Sequence, residues 1–210
     1  MYNPNTIYHI YNQSINYELL FRTDANYRYF LEKLKRHVLP HADVLAFCLM
    51  PDHFHLLLKP TVVGCEPGKC GRYLRLTETG EDACFQQNLS SAIKTTLSSY
   101  TQAINKRHGR RGSLFKAKTK AKPGYKGFSP EELGLDTDDP LTQKIPYLRT
   151  CFNYIHANPV KSNHVNHPEE WEFSSALDYA GYRDCGLINF TAAEQLLGIV
   201  RKNPYSGPTG

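Results

Sequence analysis

The stretch Val44-Leu45-Ala46-Phe47-Cys48-Leu49-Met50-Pro51-Asp52-His53-Phe54-His55-Leu56-Leu57-Leu58-Lys59 decides the fold. Its first half is almost continuously apolar, as expected of a central strand covered on both faces. Pro51-Asp52 then supplies a turn before a second strand from His53 to Lys59, so the stretch predicts a hairpin. Side chains two apart on a strand share a face. His53 and His55 would therefore project side by side, with Phe54, Leu56 and Leu58 on the other face. Two imidazoles so placed can hold one metal ion. An isolated His-x-His pair is more often two ordinary polar side chains, so a second piece is needed. It lies in Asn153-Tyr154-Ile155-His156-Ala157-Asn158-Pro159-Val160, where a helix would bring Tyr154 and Asn158 onto one face, one turn apart.

Outward from the hairpin, Thr6 to Gln13 has the β-branched and aromatic alternation of a strand. Asp24 would cap a helix whose apolar residues Tyr27, Phe30, Leu31, Leu34 and Val38 recur at three and four, with Pro40 ending it. Residues 61–87 have scattered glycines, mixed charge and no sustained period, which predicts a long irregular insertion. Leu89, Ile93, Leu97, Tyr100 and Ile104 give a second helix, closed by Gly109. Ser113 to Lys122 reads as a strand with Lys116, Lys118, Lys120 and Lys122 on one face. After a loop over 128–144, Ile145, Leu148, Phe152 and Ile155 form the core face of a third helix, which Pro159 is expected to stop. A tail from Asn163 carries Trp171, Phe173, Leu177, Tyr179 and a possible helix from Ala192 to Ile199. The order of elements predicts an α+β fold, a ferredoxin-like antiparallel sheet with packed helices in a single domain. Residues 1–162 would form the catalytic domain and 163–210 an extension packed on it.

The chain has 210 residues, 40% of them hydrophobic, enough for one domain with its own core. No apolar run approaches the roughly 20 residues of a membrane span, and Met1-Tyr2-Asn3-Pro4-Asn5 lacks the basic and apolar regions of a signal peptide, so a cytoplasmic location is expected. Cys48 and Cys151 lie in apolar periodic segments, where a thiol behaves as a small hydrophobe. Cys65, Cys70 and Cys84 could ligate a structural zinc, although the tight Cys-x-x-Cys pairs of such sites are missing. Net charge is +5, and its distribution says more than its size. From Lys106 to Lys126 there are nine Lys or Arg and no acid, whereas Glu131 to Asp139 holds five acids and no base. So one-signed a block is either a solvated face or a surface for an anion, and nucleic acid is the favoured partner.

Taken together, Met50-Pro51-Asp52-His53-Phe54-His55, Tyr154 through Val160, Tyr8-His9, Ile104-Asn105-Lys106-Arg107, Gly112-Ser113-Leu114-Phe115, Trp171 and Ser174-Ser175 resemble the His-hydrophobic-His (HUH) superfamily of single-strand DNA nucleases. Within it they resemble the REP-associated tyrosine transposases, and the resemblance runs over most of the chain. Each piece alone is weak; order and spacing make the combination specific. The resemblance implies that Tyr154 attacks a phosphate to form a 5′-phosphotyrosyl link and free a 3′-hydroxyl. It implies a divalent metal, magnesium or manganese, on His53, His55 and Asn158, and single-stranded or hairpin DNA as partner, bound by a monomer or a homodimer. Asp52 departs from the pattern, which more often has Asn there.

The chemistry of the residues agrees with those roles. A metal on a non-bridging phosphate oxygen neutralises charge and positions the phosphorus, and the helix would hold nucleophile and third ligand on one rigid element. A tyrosine hydroxyl, with an ordinary pKa near 10, needs a nearby cation or base to attack at neutral pH. Lys106, Arg107, Arg110, Arg111, Lys116, Lys118, Lys120 and Lys122 are the candidate DNA-binding residues. His156 is expected outside the metal site, and His9, His37, His41, His108, His164 and His167 to be structural or at the surface. A competing reading is a binder of structured DNA or RNA that no longer cleaves, which a metal-dependent nicking assay separates from the enzyme.

Overall fold

The computed structural model describes residues 1–68, 86–123 and 144–203, with 144–146 described by backbone alone. Four strands, β1 (Tyr8–Gln13), β2 (Ala42–Met50), β3 (His53–Pro60) and β4 (Lys120–Pro123), form one sheet in the order β2-β3-β1-β4. Every neighbouring pair is antiparallel. This is the ferredoxin-like α+β arrangement that the element order predicts.

The two faces of the sheet bury separate cores. On one face Ile10, Phe47, Leu49, Phe54, Leu56 and Leu58 pack against helices α1 (Asp24–His37) and α3 (Asn88–His108), through Phe30, Leu34, Ile93, Tyr100 and Ile104. On the other face Ala46, Cys48, Met50 and Leu57 pack against helix α4 (Lys144–Lys161), through Cys151, Phe152 and Ile155. A short helix α2 (Val62–Cys65) follows β3, where the chain between 61 and 87 was expected to be irregular. A 3-10 turn (Pro168–Glu170) and helices α5 (Ala176–Tyr179) and α6 (Phe190–Leu197) complete the described elements. Among the described residues, no helix is long and apolar enough to cross a membrane.

Several local expectations are corrected. Thr23, not Asp24, is the N-cap of α1, and Asp24 lies in the first turn, where its charge suits the positive end of the helix dipole. The helix ends at His37 with Val38 as its C-cap, before Pro40 is reached. Gly109 closes α3 in the left-handed conformation, φ 61°, as its position predicts. Pro159 does not stop α4, which runs on to Lys161. A proline removes the donor to the carbonyl four residues back, that of Ile155. The side chain of Asn158 stands in: its Nδ2 donates to Tyr154 O at 2.8 Å and approaches Ile155 O at 3.4 Å. The predicted strand over 113–122 is only Lys120–Pro123. Phe115 pairs with Ser14, but Asn12 Nδ2 then donates to Lys116 O and to Thr119 Oγ1, and the chain bends between them.

The C-terminal segment covers the open edge of β2. Leu49 N donates to Phe173 O, Phe47 N to Ser175 Oγ, Ser175 N to Phe47 O, and the Trp171 indole to Leu49 O. Tyr179 Oη adds a bond to Leu45 O and Asn189 N one to Val44 O. An uncovered edge would leave these backbone groups open to pairing with another chain. The covering segment is held by a carboxylate, Asp178, that is fully buried and accepts from Arg183 Nε, from Arg183 Nη2 at 2.5 Å and from Cys185 N at 2.7 Å. Removing one partner of such a pair leaves an uncompensated buried charge. Arg183→Ala is therefore expected to lower stability by roughly 3 kcal/mol in urea unfolding, whereas truncating the exposed Lys94 should change it by less than about 0.5 kcal/mol.

Candidate active site

Strand register decides which side chains meet. His53 and His55 of β3 lie opposite Gln13 and Tyr11 of β1, and His9 lies opposite Leu57. In an antiparallel sheet, paired residues share a face, so His9, Tyr11, His53 and His55 all belong to the face that carries α4. The rings of His53 and His55 are 5.1 Å apart at 84°. Tyr154 of α4 stands edge-on over the same face, 5.7 Å from the His55 ring and 6.2 Å from that of His9. Asn158 is one turn further along α4 and buried.

Hydrogen bonds orient both imidazoles. Nδ1 of His55 lies 2.9 Å from Nε2 of His9, and Nδ1 of His53 lies 2.6 Å from Oδ1 of Asp52. In each ring this leaves Nε2 as the nitrogen not used in these bonds. Histidines that bind metals ordinarily show this arrangement, with one nitrogen held by a neighbour and the other presented to the ion. Burial, assisted by the charge of Lys122, lowers the His9 pKa to about 4. Burial, with His9 and His53 adding to it, holds His55 well below its ordinary value. His55 is therefore neutral, and a neutral imidazole has a lone pair to give. Asn158 directs its Nδ2 to the helix carbonyls, so its Oδ1 is the end not engaged by them. The set of two oriented imidazoles and one amide oxygen fits a divalent ion. Among the described residues, no group of three or more His, Cys, Asp or Glu side chains is gathered as a metal site, here or elsewhere. Cys65 is a free thiol, and Cys70 and Cys84 lie outside the described residues.

His156 is turned away, as helix geometry predicts. It is buried, its Nε2 meets Ser175 Oγ at 2.7 Å, and burial lowers its pKa to about 3. His9, expected to be structural or at the surface, is buried and joined to His55 through its Nε2. Its place follows from the pairing of β1 with β3, which sets alternate residues of Tyr8–Gln13 beside alternate residues of β3. Lys161 was also missed. Its Nζ lies 5.0 Å from the centre of the Tyr154 ring, as the spacing 154, 158, 161 on one helix face allows.

The basic block is not one continuous track. Lys120 and Lys122 lie opposite Tyr11 and His9, on the face of the imidazoles, and both are exposed. Lys116 and Lys118 precede the strand and, with Lys120, Tyr11, Asn12 and Gln13, line a cavity of about 160 Å³. Lys106 and Arg111 are exposed. Arg107 turns toward α1, lining a cavity with Asn26 and Tyr29. Arg110 is engaged within the fold: Nε and Nη2 grip the two carboxylate oxygens of Glu18 at 2.7 and 2.5 Å, and Nη1 donates to Asn105 Oδ1 at 2.6 Å. That grip, chiefly its hydrogen bond, holds the Glu18 carboxyl below its usual range. A larger cleft of about 620 Å³, floored by Ile93, Leu97 and Phe115, includes none of the imidazoles.

Fold and site together define an antiparallel α+β protein that carries a tyrosine and paired imidazoles on one sheet face. No family model and no curated protein matches the chain by sequence. Among solved structures, the chain is similar to a REP-associated tyrosine transposase bound to a REP hairpin, with a TM-score of 0.52 and 15% identity over 89% of this chain and 84% of that one. The shared feature is the fold. Because Arg110 holds the loop after β1, Arg110→Ala is expected to lower stability by about 1–2 kcal/mol, while Lys118→Ala should leave it within about 0.5 kcal/mol, as read by chemical denaturation.

Proposed function

We propose that this protein is a metal-dependent single-strand DNA endonuclease and strand transferase, of the HUH tyrosine transposase type, acting on hairpin-forming DNA. The observation that carries the reading is Tyr154 standing edge-on to His55, whose ring neighbours that of His53, with Asn158 one turn away on the same helix. The solved transposase of the same fold is bound to a DNA hairpin, which supports the choice of substrate.

In this reading His53, His55 and Asn158 would hold a divalent ion, magnesium or manganese. When bound, such an ion neutralises charge on a non-bridging phosphate oxygen and makes the phosphorus more electrophilic. Two imidazoles lean toward manganese, because magnesium prefers all-oxygen ligands. His9 and Asp52 act one bond further out, fixing the tilt of His55 and His53. Tyr154 Oη attacks the phosphorus, and its proton passes to solvent. The bond from phosphorus to the 3′ oxygen breaks and that oxygen takes a proton from solvent, leaving a 5′-phosphotyrosine and a free 3′-hydroxyl. The phosphodiester bond energy is retained in the new ester, so rejoining needs no nucleotide cofactor. Lys161, with its Nζ over the Tyr154 ring, is a cation beside the attacking side chain. Lys120 and Lys122 on the same face, with Lys116 and Lys118 leading to it, meet the phosphate backbone.

Tyr154→Phe keeps the ring but loses the nucleophilic oxygen. It is expected to abolish the covalent adduct with a hairpin oligonucleotide in manganese while binding the hairpin as wild type does. An adduct that persists in this variant means another residue attacks. His53→Ala and His55→Ala should each lose metal-dependent cleavage in limiting manganese, since one imidazole cannot hold the ion in place. Asn158→Ala should be milder. Wild-type cleavage by both histidine variants would refute the metal assignment.

The lysines make a separate prediction. If Lys116, Lys118 and Lys120 each contact one phosphate, changing all three to Ala lowers the slope of log affinity against log salt by roughly 2, at about 0.7 per contact for single strands. DNA affinity at several salt concentrations reads the slope directly. An unchanged slope returns these residues to a solvated face.

A further inference from the structure

Between β1 and α1 the chain makes a short excursion, from Ser14 to Phe21, that begins and ends on the turn leading into His53. Ser14 N donates to Asp52 O at 2.8 Å, and Leu20 N and Phe21 N both donate to Pro51 O, at 2.7 and 3.1 Å. Ile15 N is tied to Leu114 O, and Glu18 is held in the grip of Arg110. Leu20 and Phe21 are buried in the core. Both ends of the excursion are thus fixed to the frame of the site.

Its apex is the opposite in character. Asn16 and Tyr17 have φ of 54° and 56°, two consecutive residues with side chains in the left-handed region. Asn tolerates that region; for a bulky aromatic it is unfavourable, and it persists only because the surrounding bonds over-determine the loop. The strained residue is not filling a core. Tyr17 is 95% exposed, the most exposed aromatic of the described residues. A loop selected only for stability would place glycine at such a position and keep the aromatic inside. Strain combined with full exposure of an aromatic ring, on a loop anchored to the site, is the pattern of a contact made to a ligand.

The surroundings say which ligand. Gln13, four residues before Tyr17, pairs with His53, and four residues span at most about 14 Å. The same end of β1 lines the cavity of Lys116, Lys118 and Lys120. Glu18, the acid beside the apex, is neutralised by Arg110 and flanked by Arg22 at 3.7 Å. An exposed aromatic ring on a loop that leaves a strand end lined by lysines offers the two contacts by which single strands are held, the base stacking and the phosphate paired.

We propose that Tyr17 is a stacking platform for one unpaired base of the single strand entering the site. This inference rests on the DNA-processing reading above, and adds to it a contact outside the metal and the nucleophile. Stacking is tolerant of base identity, because every base offers a π-face. The platform would therefore hold strand position without reading sequence.

The test uses the whole chain and a fluorescein-labelled DNA hairpin with single-stranded flanks, with binding read by fluorescence anisotropy. Tyr17→Ala and Tyr17→Gly are expected to weaken binding roughly tenfold, and Tyr17→Phe and Tyr17→Trp to bind like wild type. Replacing the flank bases one at a time by abasic sites should locate one position where wild type loses a similar factor and Tyr17→Ala loses nothing more. Tyr17→Gly relieves the backbone and should melt no lower than wild type, so its loss of affinity is not a loss of folding. If wild type binds the hairpin and Tyr17→Ala binds it within about twofold, or loses equally on every abasic probe, the stacking role is overturned while the DNA reading stands. If wild type binds none of the probes, the DNA reading itself fails and this inference with it.

Discussion

Everything at the site depends on the register of β3 against its two neighbours. A strand alternates faces residue by residue, so a slip of one position would send His53 and His55 to the side of α1 and α3 and bring Phe54 and Leu56 to the side of α4. The register is fixed from both sides. Phe54, Leu56 and Leu58 are buried with Phe30, Tyr100 and Ile104 on one face, and Leu57 is buried with the α4 contacts on the other. Placing two polar rings in that pattern is possible because they fall at the end of the strand next to the turn, where α4 brings Tyr154 and Asn158 in place of aliphatic residues. The hydrophobic alternation that folds the hairpin also aims the imidazoles.

The second constraint is the position of α4, and it is set from far along the chain. Phe152 and His156 meet Tyr179 and Ser175, and Ser175 is hydrogen-bonded to Phe47 in β2. The same C-terminal segment closes the β2 edge and supports the helix that carries the tyrosine. Sheet edge, helix and site are thus linked through Ser175, which lies with no solvent exposure at the junction. A side chain outside the site in this way helps set where Tyr154 stands relative to the imidazoles.

The strong hydrophobic periods made the three long helices, the hairpin and the ferredoxin-like order legible in the sequence. The face shared by His53 and His55, and that shared by Tyr154 and Asn158, followed from periods of 2 and 3.6 alone. What was not legible depended on partners distant in sequence. His9 joins the imidazoles only because β1 pairs with β3. Arg110 leaves the basic block because Glu18, an isolated acid in the sequence, lies within reach of its guanidinium. The lysine strand is shorter than alternation suggests because a single side chain, Asn12, captures the backbone at Lys116. Charge patterning locates cations along a chain but does not say which are already paired. Strain at Asn16-Tyr17 has no sequence signal of the usual kind, since the residue that would announce a left-handed turn, glycine, is missing there.

Asn158 shows why an amide occupies the proposed third ligand position. With Pro159 next in the chain, the carbonyl of Ile155 lacks its helical donor, and the Asn158 Nδ2 lies toward both it and the carbonyl of Tyr154. A carboxylate is isosteric but has no hydrogen to give at neutral pH. It would set a negative charge against two carbonyl oxygens near the negative end of the helix dipole. An amide satisfies the helix with one end and offers an oxygen with the other. The proline and the amide are therefore coupled: the proline creates the need for a side-chain donor, and meeting that need orients the amide so that its oxygen is directed away from the helix carbonyls. The helix terminus adds to this, because its partial negative charge favours a cation nearby while the aligned carbonyls themselves remain hydrogen-bonded. The backbone chemistry of one helical turn thereby fixes the orientation of the Asn158 amide, which is what the proposed ligand role calls for.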